Sequence, residues 1–140
     1  MKKASSKSVL LDVNVLLALA WPHHVFHRKA QARMSRVEGW ATCAATQLGF
    51  LRLSLNPRIV DTQIGVSDAL ALLGEMVSDT HHRYLETMPS PIGADAAFAA
   101  VLGHNQLQDV YLVWLAELHH SVLLTFDTRL SAYPHVEVLA

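Results

Sequence analysis

One apolar segment near the start of the chain restricts the fold more than any other: SVLLDVNVLLAL, at residues 8–19. Residues 8–12 are typical of a short, fully buried strand, and residues 13–20 of a short helix. Asp12 is the one charged residue in the segment. Because burial of a lone ionised carboxylate costs several kcal/mol, the fold must supply a group that compensates the charge of Asp12.

The rest of the chain alternates between strand-like and helix-like segments. Ser67 stands where it could cap the first turn of one predicted helix. The alternation is typical of an α/β domain, so we expect a mainly parallel, four- or five-stranded sheet flanked by helices, with the last strand at an edge. Strands are predicted at residues 8–12, 40–43, 83–88, 121–125 and 136–139, and helices at residues 13–20, 24–37, 46–55, 67–78, 95–102 and 107–120.

Length and composition favour one globular domain. The 140 residues are in the usual range for one domain, so residues 1–140 are expected to fold as a unit, and an apolar share of 51% supplies a full core. With a net charge of −1, any contact with nucleic acid must come from a local basic patch. Cys43 is the only cysteine, which excludes an intrachain disulfide and fits the cytoplasm.

The N-terminal residues share some features with a secretory signal. Lys2, Lys3 and Lys7 precede the apolar segment, and an Ala-Leu-Ala tripeptide near its end resembles a cleavage site. However, Asp12 and Asn14 divide the segment, and a membrane span would need about 20 apolar residues. We therefore expect neither a signal peptide nor a membrane-spanning segment.

Three acidic residues fall where such a fold would bring them together. Asp12 ends the first strand, Asp127 follows the fourth, and Asp109 lies in the first turn of the helix that leads to the fourth. Parallel α/β sheets bind ligands outside the carboxyl ends of their strands. Carboxylates at this edge suit a hard divalent cation such as Mg²⁺. We therefore predict a metal site for phosphoryl chemistry, with attack by metal-bound water.

Each acid also has an explanation that needs no metal. Asp109 could serve only to stabilise the start of its helix, and Asp127 could be a turn residue before Thr128. Asp12 could instead be the nucleophile or phosphate acceptor of a receiver-type α/β protein. That chemistry needs a lysine near the site, and all four lysines precede residue 30, so it is disfavoured.

The histidines do not form a convincing metal-binding motif. His23, His24 and His27 have helical spacing that could bind zinc, but no Cys-x-x-Cys pair accompanies them. Surface or capping roles are therefore favoured for the histidines. His104 is the exception, because it lies shortly before Asp109 and could reach the acidic edge.

Four segments resemble, in order, the PIN domain, and most closely the VapC toxins of bacterial toxin–antitoxin pairs: LLDVNVLLAL, WATCAATQLGFLRLSLNP, GHNQLQDVYLVWLA and VLLTFDTRL. The similarity extends from Leu10 to about Leu130. It implies a three-layer domain with a parallel sheet between helices, and a metal-dependent ribonuclease that a cognate antitoxin neutralises. It also implies that Asp12, Asp109 and Asp127 occupy the family's acidic positions and hold the metal.

One position departs from the family pattern. Many members carry glutamate in the segment that corresponds to TQLGF, whereas this chain has Gln47. A glutamine can orient a metal-bound water. However, loss of a unit charge about 4 Å from a cation weakens the electrostatic attraction by a few kcal/mol at an effective dielectric constant of about 20. We therefore expect one Mg²⁺ held by Asp12 and Asp109, with Asp127 at its edge. Gln47 is either part of the catalytic set or an ordinary polar helix residue.

Four basic residues share one arc of the predicted helix at residues 24–37: Arg28, Lys29, Arg33 and Arg36. An arc of this kind is most often a solvated helix face. Its functional interpretation is contact with the RNA backbone, which adds affinity without reading sequence.

Two hypotheses of different classes follow. The first is an Mg²⁺-dependent endoribonuclease, with Mn²⁺ as a substitute, that hydrolyses RNA to inhibit translation and is the toxin of a type II toxin–antitoxin pair. The second is a weakly catalytic or non-catalytic PIN-like module that binds RNA or a partner, because Gln47 replaces an acid. The expected partners are RNA and a VapB-type antitoxin. The helix at residues 107–120 is apolar on several sides, so it is either enclosed by the fold or part of a homodimer interface.

Overall fold

The computed structural model describes residues 8–101 and 103–139. The lysines that bear on the signal-peptide question, Lys2, Lys3 and Lys7, lie outside the described residues. So does Leu102, the expected end of one helix. Among the described residues, no helix is both long enough and apolar enough to cross a membrane.

Five strands form one sheet in which every adjacent pair is parallel. The strands are β1 (Ser8–Leu11), β2 (Gly39–Cys43), β3 (His82–Leu85), β4 (Val122–Thr125) and β5 (Val136–Val138). Their order is β3-β2-β1-β4-β5, so the first strand lies at the centre and the last at an edge. The prediction of a parallel sheet with its last strand at an edge is confirmed.

The described residues contain six α-helices, and several of them begin at the carboxyl edge of the sheet. They are α1 (Val13–Ala20), α2 (His27–Met34), α3 (Ala44–Ser54), α4 (Pro57–Val60), α5 (Val66–Val77) and α6 (Leu107–Leu118). Asp12 is the N-cap of α1, and Cys43 the N-cap of α3, so β1 and β2 each lead almost directly into a helix. The positive ends of two helix dipoles therefore lie at this edge.

The sheet is covered on both faces, which gives the three expected layers. Successive residues of a strand point to opposite faces. Val9 and Leu11 belong to one apolar core with side chains of α1 to α5, whereas Leu10 belongs to a second core with α6. All three side chains are fully buried. Asp12 therefore follows three strand residues that have no contact with solvent.

Gly49 lets α3 approach α1 closely beside Asp12. A methyl group at Gly49 would lie 2.6 Å from Cγ2 of Val13, well inside ordinary contact distance. Val13 is the first residue of α1 and directly follows Asp12. The missing side chain at Gly49 therefore sets how near α3 packs to the start of α1.

Helix α2 is shorter than the helix predicted at residues 24–37. Turns precede it: the N–H of His24 donates to the carbonyl oxygen of Trp21 (2.9 Å), and the N–H of Phe26 donates to Nδ1 of His24 (3.0 Å). The backbone N–H of Phe26 therefore donates to an imidazole, whereas the predicted helix would have used this N–H inside the helix. The predicted start was wrong for this reason.

Three other helical expectations need correction. Ser67 does not cap α5, because Gly65 occupies the N-cap position and Ser67 lies inside the helix. In place of the helix predicted at residues 95–102, the described residues contain only a 3₁₀ turn at Asp95–Phe98. Helix α4 was not predicted, although the side chain of Asn56 caps it by accepting from a backbone N–H at 3.0 Å.

Arg33 does not belong to a solvated basic face. It is only 6% exposed, and its Nε and Nη2 donate to the two carboxylate oxygens of Glu137 at 2.6 and 2.9 Å. This paired contact joins α2 to the edge strand β5. Arg28, Lys29 and Arg36 are exposed, as expected. The helical pattern misplaced Arg33 because α2 packs against β5 as well as against the main core.

Helix α6 is enclosed on several sides, which is one of its two expected arrangements. Leu107 and Leu118, at its ends, are 49% and 46% exposed. The hydroxyl of Tyr111 donates to the carbonyl oxygen of Pro89 at 2.7 Å, which fixes the preceding loop to the helix. The buried residues are Val110, Leu112, Val113, Leu115 and Ala116.

Candidate active site

The three predicted acids lie around the carboxyl ends of the two central strands. Asp12 follows β1 and caps α1. Asp127 comes two residues after β4 ends and caps the turn Thr128–Leu130. Asp109 lies in the first turn of α6. The charges of Asp12 and Asp127 both act on Asp109, so the fold brings together acids that are far apart in sequence.

Asp12 is buried and oriented by two hydrogen bonds. Only 6% of the residue is exposed. Its Oδ1 accepts from the backbone N–H of Val13 at 2.8 Å, and its Oδ2 accepts from the hydroxyl of Thr125 at 2.7 Å. Burial raises the pKa of Asp12, with a smaller contribution from the charge of Asp127, while the two hydrogen bonds oppose the rise. The carboxylate is therefore held in one position but incompletely compensated.

A small polar network fixes the acids relative to each other. The Thr125 hydroxyl donates to Asp12 and accepts from Nδ2 of Asn14 (3.1 Å) and from the N–H of Asp127 (3.1 Å). Oδ1 of Asn14 accepts from the N–H of Phe126 (3.1 Å). Neither Asn14 nor Thr125 was among the predicted site residues. Their signal is that each is a polar residue two positions from an acid within an otherwise apolar run.

Asp109 has a strongly raised pKa. Burial, followed by the charges of Asp12 and Asp127, raises its pKa from 3.8 to about 6. Arg129 opposes this rise, with Nη2 at 4.0 Å from Oδ2 of Asp109. At neutral pH the site therefore carries more negative charge than the described side chains around it neutralise.

Arg129 holds Asp127 in a two-pronged contact that the sequence analysis did not predict. Its Nε donates to Oδ1 of Asp127 at 3.0 Å and its Nη2 to Oδ2 at 2.8 Å. These hydrogen bonds lower the pKa of Asp127. The side chain of Arg129 is 62% exposed, whereas that of Asp127 is 19% exposed, so the guanidinium is screened by solvent and can exchange partners. Asp127 is thus ionised and already has a cation beside it.

The donor set suits a divalent cation of the Mg²⁺ type. Mg²⁺ prefers oxygen ligands, usually binds through one or two carboxylates, and keeps several waters. Among residues 8–101 and 103–139, no group of three or more His, Cys, Asp or Glu side chains is close enough to hold a metal ion. The charge of Asp12 raises the pKa of Asp109, and neither carboxylate has a close two-pronged cation contact such as that of Asp127, so the two fit an ion that binds carboxylates and water.

Gln47 lies near the end of the neighbouring strand and is not bonded to the acids. Its Nε2 donates to Oγ1 of Thr42 at 3.0 Å, and that oxygen lies 2.7 Å from Nε2 of His82. Gln47, Thr42 and His82 thus form a polar chain across β2 and β3. A catalytic role for Gln47 stays a prediction.

His23, before α2, and His27, at its first residue, both contact backbone carbonyls. A ring nitrogen of His23 lies 2.8 Å from the oxygen of Val60, and a ring nitrogen of His27 lies 2.7 Å from the oxygen of Ala18 in the last turn of α1. These contacts agree with capping roles. His104 is exposed, and in the described part of the chain no hydrogen bond or ion pair joins it to an acid.

Comparison with known proteins matches residues 9–136 to the PIN domain. Ribonuclease VapC38 of Mycobacterium tuberculosis (strain ATCC 25618 / H37Rv) is 37% identical over 120 residues, which are 84% of this chain and 84% of the relative. Ribonuclease VapC39 of the same strain is 35% identical over 127 residues, 89% of this chain and 91% of the relative. Ribonuclease VapC44 of that strain is 37% identical over 125 residues, 87% of each.

The matched region includes the central strands, α1 to α6 and all three acids. The similarity to the VapC ribonucleases covers most of both chains, and the parallel five-stranded sheet between helix layers agrees with it. The chain therefore belongs to the PIN-domain family.

Proposed function

We propose that this chain is an endoribonuclease that hydrolyses RNA phosphodiester bonds with the help of Mg²⁺. The observation that carries the proposal is the group of three carboxylates at the carboxyl edge of the sheet, where burial and mutual repulsion raise the pKa of Asp109 to about 6. Unrelieved negative charge of this kind favours a cation. The names of the relatives support a nuclease, since all three are called ribonucleases.

Asp12 and Asp109 are the residues that would hold the ion, with Asp127 at its edge. Mn²⁺ would suit the same oxygen donors. When bound, such an ion supplies Lewis-acid stabilisation of the charge that develops on the phosphate.

The chain's own residues contribute orientation. Val13 and Thr125 fix the two oxygens of Asp12 separately, so little reorganisation is needed when a ligand arrives. Thr125 also bonds the N–H of Asp127, so one hydroxyl sets the relative position of two acids. We infer that this rigidity aligns the phosphate for in-line attack by water.

A second candidate function is a PIN-like module that binds RNA or a partner but cleaves weakly or not at all. Gln47 is the observation in its favour: it is uncharged, and its amide is engaged with Thr42 and not with an acid. A site that lacks this charge would hold a cation less tightly.

Substitution of the acids tests the first proposal. Asp12→Asn and Asp109→Asn should abolish Mg²⁺-dependent cleavage of single-stranded RNA while thermal unfolding stays cooperative. Glu75→Gln, at an exposed position on α5, is the matched control and should cleave like the wild type. Undiminished cleavage by folded Asp12→Asn and Asp109→Asn proteins would sink the proposal.

Gln47→Glu separates the two candidates. A large gain in turnover would show that the wild type is an impaired enzyme, and this result would favour the binding module. Unchanged turnover, together with measurable cleavage by the wild type, would show that three acids suffice.

We further propose that the chain is the toxin of a type II toxin–antitoxin pair, acts in the cytoplasm as a homodimer, and is neutralised by a VapB-type antitoxin. The sequence resemblance to VapC toxins supports this role. Induced expression in a bacterial host should stop growth and lower the incorporation of labelled amino acids, and the small protein encoded beside it should reverse both effects. Sedimentation equilibrium should give twice the mass of one chain. Normal growth with folded wild-type protein would contradict the toxin role.

A further inference from the structure

Two phenylalanine rings form a stacked pair, and one of them directly precedes Asp127 in the sequence. The ring centroids of Phe26 and Phe126 are 4.5 Å apart, and the ring planes differ by only 12°. Phe126 stands in the sequence between Thr125, whose hydroxyl bonds Asp12, and Asp127. The pair is therefore attached to the acidic site through adjacent residues.

The two rings are anchored by different elements. Oδ1 of Asn14 accepts from the N–H of Phe126, and that ring packs against the first apolar core. Phe26 is the N-cap of α2, and its N–H donates to the imidazole of His24. Although it stacks on Phe126, Phe26 is 37% exposed. An inner ring held by the core and an outer ring open to solvent make a preformed aromatic surface.

Two basic residues of α2, Arg28 and Lys29, follow Phe26 in the sequence. Nζ of Lys29 lies 5.7 Å from the ring centroid of Phe26, and Arg28 is exposed on the same helix. The His24 ring lies 6.0 Å from Phe26, and burial lowers the pKa of His24, so this imidazole is uncharged at neutral pH. One partly exposed aromatic ring and the Lys29 ammonium thus lie together at the start of α2, and Arg28 is exposed in the same turn.

This combination is the one that single-stranded nucleic acids require, because bases stack on aromatic rings while cations contact phosphates. We propose that Phe26, supported by Phe126, stacks an unpaired RNA base next to the phosphodiester bond that is cut, while Lys29 and Arg28 contact the backbone. The inference rests on the proposed ribonuclease function. It assigns Phe26 to substrate binding.

Binding of short, fluorescently labelled single-stranded RNA without divalent ions tests the inference. Phe26→Leu keeps an apolar contact with Phe126 but removes the aromatic face, and Phe26→Tyr keeps that face. We expect Phe26→Leu to weaken binding about tenfold and Phe26→Tyr to bind like the wild type. Tyr84→Leu is the matched control, since Tyr84 is 44% exposed on the edge strand β3, and its binding should not change.

RNA analogues without bases distinguish stacking on Phe26 from a purely structural role of Phe26. Stacking needs a base, so the abasic backbone should bind wild type and Phe26→Leu equally. A 2-aminopurine base in the RNA should lose fluorescence on binding the wild type and lose less on binding Phe26→Leu. An equal loss of affinity for normal and abasic RNA would overturn the inference.

The remaining outcomes separate this inference from the proposed function. If the wild type cleaves RNA and Phe26→Leu binds it just as tightly, the stacking surface is wrong and the ribonuclease proposal stands. If the wild type neither binds nor cleaves single-stranded RNA, both fail. If Phe26→Leu alters only the sedimentation of the chain, the rings belong to an interface between copies, which also overturns the inference.

Discussion

Asp109 binds a proton more readily than an ordinary aspartate, because burial and the charges of Asp12 and Asp127 raise its pKa from 3.8 to about 6. The folded chain therefore keeps a proton that the unfolded chain releases in this pH range. The stability contributed by this proton is fully present below about pH 3.8 and is lost as the pH rises through about 6. At neutral pH, the ionised group destabilises the folded state until a cation arrives.

We predict that Asp109→Asn removes this pH dependence. The variant should exceed the wild type in free energy of unfolding by on the order of 1 kcal/mol near neutral pH, and the difference should vanish below about pH 4. Urea unfolding across this pH range measures it. Added Mg²⁺ should stabilise the wild type more than the variant.

Glu75→Gln, which removes an exposed carboxylate from α5, is the control and should give no pH-dependent gain. A constant difference between Asp109→Asn and the wild type at every pH would mean that the carboxyl group of Asp109 has an ordinary pKa.

Arg129 occupies the carboxylate of Asp127 and approaches that of Asp109. A metal ion and this guanidinium therefore compete for the same negative charge. We predict that Arg129→Gln tightens Mg²⁺ binding by up to about fivefold, because the ion no longer competes with the guanidinium, whose solvent-exposed contacts are weak. Calorimetric titration with Mg²⁺ measures the change.

Arg58→Gln removes the same charge from an exposed position on α4 and should leave Mg²⁺ affinity unchanged. Weaker Mg²⁺ binding by Arg129→Gln would show instead that Arg129 supports the bound state.

The contact between α1 and α3 depends on Gly49. We predict that Gly49→Ala lowers the free energy of unfolding by about 1–3 kcal/mol, because the new methyl group meets Val13 at 2.6 Å and overpacks the contact. It should also weaken Mg²⁺ binding, since Val13 carries the N–H that orients Asp12. Chemical unfolding and calorimetry measure the two effects.

Gly74→Ala is the matched control. Gly74 lies in α5 with open space around it, so alanine should stabilise the chain by about 0.5–1 kcal/mol through helix propensity. Equal effects of the two substitutions would show that Val13 moves aside at no cost.

Periodicity predicted elements well where burial alone decides them. Helix α1 has its predicted bounds, and β1, β2 and β4 lie within one residue of theirs. It failed where a single side chain intervenes: His24 bonds the backbone before α2, and Glu137 draws Arg33 out of the exposed arc. Such contacts depend on tertiary neighbours, which a helical pattern does not contain.

The sequence could place the acids at one edge because Asp12 and Asp127 follow strands and Asp109 begins a helix. The spacing of Thr125 from Asp127 marks it as a polar residue near an acid, but the sequence could not show that its hydroxyl bonds Asp12. The role of Thr125 depends on the pairing of β1 with β4, which brings it to a residue 113 positions away. The metal-ligand and catalytic roles of the acids stay predictions.

The whole molecule has a net charge of −1, so the salt dependence of RNA affinity is set by the few basic side chains that contact phosphates. If Arg28 and Lys29 make the phosphate contacts, log affinity should fall with log salt concentration with a slope of about −1.4, at about 0.7 per contact for single strands. Arg28→Gln should reduce the slope by about 0.7, whereas Arg52→Gln on α3 should not. A slope steeper than about −3 would reveal a larger basic surface.

The strand order has a consequence for when the site exists. Asp12 is translated early, but its partner Thr125 lies 113 residues later, and β4 must insert beside β1 before the hydroxyl reaches the carboxylate. Pairing over such a distance forms late in folding, because a long loop must close first. A growing chain therefore has no assembled acidic site until β4 and Asp127 have been made. Synthesis itself therefore delays assembly of the acidic site.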